Sequence, residues 1–181
     1  MKHQLLHRLE ACRDAVEFAE RFHTLDEAWA KCERGDWMLW LAWMLAGNPR
    51  SKGRRKLALA STACARTAWP YVRKRDRKVV RKCYETTEAW GRGEPGVTLK
   101  DVRAAADATW AAVWATAEDA ARAAAGAAAW AAAMAAAWAA AVAAARDAGD
   151  AAYAVARAKT LAKCANIVRE FYPQCPTRSK P

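Results

Sequence analysis

The residues best suited to chemistry lie in one stretch. Between Arg50 and Lys82 the chain carries thirteen of its thirty Lys and Arg residues, against a single acidic residue, Asp76. The other positions hold seventeen basic and eighteen acidic residues, so this segment accounts for the whole formal charge of +11. A solvated helix face normally mixes signs, with Glu and Lys four apart. An almost unbroken run of positive charge repels itself, and binding an anion relieves that repulsion. Lys74, Lys78 and Arg81 share one helical face, and Arg77 and Arg81 are four apart. Arg54, Arg55, Arg66, Arg73, Lys74, Arg77 and Arg81 are therefore the candidate phosphate-holding residues. Trp69 and Tyr71, which bracket Pro70 beside the basic run, are the candidate rings for stacking on a base. The competing reading of the segment is a solubilising surface.

Catalytic signatures are missing from the sequence. It has no phosphate-binding glycine loop, no G-x-S-x-G and no H-E-x-x-H. His3 and His7 have the i, i+4 spacing of a metal pair, but no third ligand accompanies them. The expectation is a binding protein rather than an enzyme, with no cofactor. Six cysteines, none in a C-x-x-C pair, read as reduced thiols packed as small hydrophobes. No apolar signal segment opens the chain, and the most apolar run, 37–46, is about half a membrane span. A soluble cytoplasmic protein is expected.

Helical periodicity must position these residues. Leu5, Leu9, Cys12, Val16 and Ala19 fall on one face, predicting an amphipathic helix over 3–22. Thr24 and Glu27 form a capping box for a short helix ending near Cys32. Gly35 is read as the residue after that helix and Asp36 as the cap of the next. The helix at 37–46 is apolar all round, which predicts a buried central helix with Trp37, Trp40 and Trp43 on one inward side. Ser51 caps a helix to about Ala68, stopped before Pro70, and a further helix covers 74–91. The run from Gly91 to Gly96 is a loop, and Thr98 with Asp101 starts the next helix.

From Ala104 to Ala158, 34 of 55 residues are alanine. Alanine is the best helix former, and Trp110, Trp114, Trp130, Met134, Trp138 and Val142 give the segment large anchors. One unbroken helix would be about 80 Å long, so breaks are expected at Gly149 and, more weakly, at Gly126. The fold expected is an all-α bundle with long alanine-rich C-terminal helices: one domain over 1–173 and a flexible tail over 174–181. The alanine faces would serve close helix packing or a homodimer.

Three stretches carry a family resemblance. They run from Cys32-Glu33-Arg34-Gly35-Asp36-Trp37-Met38 to Leu41, from Glu85-Thr86-Thr87-Glu88-Ala89-Trp90 to Glu94, and from Leu161 through Lys163-Cys164-Ala165-Asn166 to Pro173. With the alanine tract, they resemble helical, alanine-rich immunity proteins of bacteria and their phages, over about Thr24 to Pro173. The resemblance implies a non-enzymatic neutraliser in phage–host or toxin conflict. Two partners fit that setting: a nucleotide immune signal, sequestered by arginines and aromatics, or a toxin protein capped through an interface. Many toxins are basic nucleases, which a basic segment would repel. Nucleic acid bound without sequence preference is the third reading.

Overall fold

The computed structural model describes residues 4–113 and 149–176. Their regular structure is all helical, with no strand among the described residues. The helices are α1 (Gln4–Arg8), α2 (Arg13–Ala19), α3 (Leu25–Lys31), α4 (Gly35–Leu45), α5 (Lys52–Arg66), α6 (Arg77–Arg92), α7 (Leu99–Val113) and α8 (Gly149–Phe171). Two 3-10 turns, Trp69–Tyr71 and Lys74–Asp76, join α5 to α6. No helix among the described residues is long and apolar enough to cross a membrane. Residue 114 to residue 148, with the expected break at Gly126 and most of the alanine tract, lies outside the described residues.

Helix starts follow local chemistry. The Thr24 hydroxyl accepts from Glu27 N–H at 3.1 Å, and the Glu27 carboxylate accepts from His23 N–H at 2.9 Å. Ser51 accepts from Arg54 N–H at 3.1 Å, and Thr98 pairs with the Asp101 carboxylate at 2.6 Å. Gly93, at φ +77, ends α6 in the left-handed conformation that glycine adopts without strain.

α5 is the middle of the molecule because it is apolar on two sides. Leu57, Ala60 and Cys64 face a core built with α1–α4 and α8. Ala58 packs with Trp90 and Val102, and Ala65 with Val80 and Tyr84, forming two smaller cores with α6 and α7. α8 lies across α4 and α5. A Cβ on Gly35 would sit 2.6 Å from Cys164 Cβ and 2.7 Å from Ala165 N, so α4 and α8 approach this closely only over a glycine.

Several expectations need correction. The helix over 3–22 is two helices, broken at Glu10 (φ 56), because two short elements satisfy the same periodicity while folding back onto one core. Cys12 is thereby exposed at the start of α2. Gly35 belongs to α4 rather than closing α3. The fully buried side of α4 is Gly35, Met38, Leu39, Leu41 and Ala42, and Trp37, Trp40 and Trp43, though packed against the same core as expected, are only half-buried. A helix apolar all round has no sequence preference for which side turns inward, and Gly35 decides it where α8 must come close. α6 proper begins at Arg77, preceded by a 3-10 turn. Of the residues expected in the tail, 174–176 are described, and Cys175 is buried with its N–H donating to Asp26 at 2.8 Å. The five cysteines other than Cys12 are buried and free, and burial pushes the thiols of Cys32, Cys83 and Cys175 up, the last to about 12.

Candidate anion-binding site

α5 and α6 run antiparallel, and the seam between them orders the basic residues. At one end, the Arg55 guanidinium lies against Gly93. Next along α6, Arg92 pairs with Glu94 at 2.7 Å and approaches Glu88 at 3.9 Å. Glu88 is gripped from α5 by Arg66, through Nε at 2.6 Å and Nη2 at 3.0 Å. That bidentate bond raises the Arg66 pKa, so the guanidinium is held firmly charged.

The Arg66 guanidinium sits 5.0 Å over the Tyr84 ring. Tyr84 in turn packs against Trp69, with ring centroids 6.3 Å apart and a 57° tilt, and donates its hydroxyl to the Ala65 carbonyl. Burial pushes the Tyr84 phenol up to about 12, so it stays a neutral donor. Arg77 and Arg81 then stand 5.6 and 5.5 Å over the Trp69 ring. Arg77 is anchored by donating to the Val72 carbonyl at 3.2 Å.

The two 3-10 turns close this end. Tyr71 is 52% exposed. Arg73 bonds the buried Asp76 carboxylate at 2.6 Å, with Arg75 at 3.7 Å, so the one acid of the segment holds the turn before α6. Lys74, Lys78 and Lys82 are exposed nearby.

Of the residues expected from sequence, Arg66, Trp69, Arg77 and Arg81 are thus linked by direct contacts. Tyr71, Arg73 and Lys74 stand in the adjoining turns. Arg55 lies at the far end of the same seam, since eleven residues make just over three full turns and about 16 Å. Arg54 does not join them. One residue rotates it about 100° around α5, where it caps the Trp43 ring at 5.1 Å, donates to the Gly47 carbonyl, and has its pKa lowered by burial. Trp69 also differs from expectation: arginines and Tyr84 occupy its ring, leaving Tyr71 as the exposed aromatic of the pair.

Sequence reasoning missed Glu88, Arg92 and Tyr84. The i, i+4 spacing of Glu88 and Arg92 was a usable signal. The contacts of Arg66 with Glu88 and Tyr84 are tertiary and have none.

An apolar cavity among the described residues lies elsewhere. It measures about 50 Å³ and is lined by Leu6, Phe18, Trp29, Trp37, Met38 and Trp40, among other uncharged residues, which suits no anion. Among the described residues no group of three or more His, Cys, Asp or Glu side chains is placed to hold a metal ion. No family model, curated protein or solved structure matches this chain.

Proposed function

We propose that this chain is a non-enzymatic binding protein that captures a phosphate-bearing ligand on the α5–α6 seam and the turns before α6. The observation that carries the reading is the set of guanidinium groups gathered along the seam: Arg55 against Gly93, Arg92 and Arg66 at Glu88, and Arg77 and Arg81 over the Trp69 ring that Tyr84 touches, with Glu85 and Glu94 as the other acids beside them. Guanidinium forks match phosphate oxygens bidentately and stay protonated, so they recognise charge rather than move protons. The rings of Tyr84 and Trp69 hold Arg66, Arg77 and Arg81 in place, which lowers the entropy cost of binding. In the conflict setting that the family resemblance implies, such a protein would sequester a nucleotide-containing signal or cover a nucleic acid. The alternative of a toxin partner rests on that resemblance alone.

The test is titration calorimetry with inorganic polyphosphate and with ATP, on the native chain and on Arg66→Ala/Arg77→Ala. Polyphosphate affinity is expected to fall by orders of magnitude between about 50 and about 200 mM salt, and at least tenfold in the double variant, a loss of about 1.4 kcal/mol or more. Equal affinity in both proteins, or no binding at the lower salt, overturns the reading.

A further inference from the structure

We infer that the ligand of this seam is single-stranded nucleic acid, a step that rests on the phosphate-binding reading above. Three features of the site point to a strand rather than a mononucleotide or a duplex.

The first is shape. The contacts that run from Arg55 and Gly93 through Arg92, Glu88, Arg66, Tyr84 and Trp69 to Arg77 and Arg81 make a line, not a ring of convergent groups. A small ligand is held by a concave site that surrounds it. A line fits a chain of phosphates, and the stretch of α5 from Arg55 to Arg66 alone matches about five phosphates at the spacing of a stacked strand.

The second is Tyr71. It is half exposed, two residues beyond Trp69, at the end of the row and beside Arg73 and Lys74. A ring offered to solvent next to positive charge suits stacking on an unpaired base, whose faces a duplex keeps covered. Trp69 cannot serve this purpose while Arg77 and Arg81 lie over it. Its part is to space those two arginines.

The third is Glu88. Its side chain is 22% exposed, and both Arg66 and Arg92 point at it. The carboxylate occupies the position along the row that a phosphate would take, so a strand would displace it or share its arginines. Neutralising Glu88 while keeping its shape would leave the Arg66 guanidinium for the ligand, Arg92 keeping its pair with Glu94 at 2.7 Å.

The experiment is fluorescence anisotropy of a labelled thymidine oligomer of about eight nucleotides, in competition with a duplex of equal length, ATP and inorganic polyphosphate. The native chain is expected to prefer the strand to the duplex and to ATP by about tenfold or more, and to gain affinity with strand length up to about six nucleotides. Tyr71→Leu should weaken strand binding about tenfold, and weaken it more than polyphosphate binding. Glu88→Gln should strengthen strand binding about threefold or more. Strand and duplex bound equally, ATP bound as tightly as the strand, or full strand affinity in Tyr71→Leu would overturn the inference while polyphosphate binding kept the broader reading intact. Loss of polyphosphate binding as well would remove both. The competition on the native chain decides the matter even if a variant fails to fold.

Discussion

Arginine lies over tryptophan in both halves of this molecule, with different consequences. On the flank of α4, Arg34 covers the Trp37 ring at 4.2 Å and is at the same time bound by Asp36 at 2.9 and 2.6 Å. Charge is neutralised locally, and the pair seals the edge of the apolar core. At the start of α6, Arg77 and Arg81 share the Trp69 ring among exposed lysines, in a segment whose one acid, Asp76, is taken up by Arg73 and Arg75. The ring holds the cations but does not neutralise them, so their field is presented to solvent. The same contact is a lid in one place and a mount in the other, and the nearest carboxylate decides which.

Removing one tryptophan from each half should break this comparison most sharply. Trp29 is 4% exposed and donates its indole N–H to the Tyr172 carbonyl at 2.8 Å. Trp29→Ala should cost about 4 kcal/mol of stability in urea denaturation while folded protein keeps its polyphosphate affinity. The half-buried Trp69 should cost about half as much when cut to alanine, yet lower polyphosphate affinity at least tenfold by releasing Arg77 and Arg81. Equal loss of binding in both variants would mean that the seam depends on global stability rather than on its own ring.

Alkaline pH gives a graded version of the same contrast. Burial raises Tyr84 and Tyr172 from 10.0 to about 12, so above pH 10 the unfolded chain gives up these protons while the folded one keeps them. Folding stability therefore falls as pH rises through 10 to 12. Because Tyr84 underlies Arg66 and Trp69 and keeps its proton in the folded protein until about pH 12, its own titration should lower ligand affinity only near that pH, with the midpoints read by ultraviolet difference absorbance. Phenols titrating near 10 in the folded protein would contradict the packing of both rings.

The smallest effect expected lies on α5 between the two halves. Ser61 is buried at 1% exposure, and its hydroxyl has no hydrogen-bond partner among the described residues. Ser61→Ala removes an unsatisfied polar atom and little volume, so stability should hold or rise by up to about 1 kcal/mol. A loss beyond that in thermal denaturation would show that the hydroxyl has a partner.

Much of this architecture was legible in residue order. Thr24, Ser51 and Thr98 start helices and Gly93 ends one because caps are local chemistry, settled within four residues. The crowding of positive charge between Arg50 and Lys82 needs no structure either, since charge adds up along a chain wherever it folds. Which of those cations act together was decided by tertiary contacts. Arg54 and Arg55 are neighbours in sequence, but one residue of helical rotation sends the first to Trp43 and the second to the seam. Glu88 reaches Arg66 across twenty-two residues only because α5 and α6 pack antiparallel. The sides of α4 were equally open to choice, because a helix apolar all round says nothing about which side meets α8 until Gly35 allows the close approach. Residue type and spacing set what each side chain can do. The packing of helices sets what it faces, and no local rule encodes that.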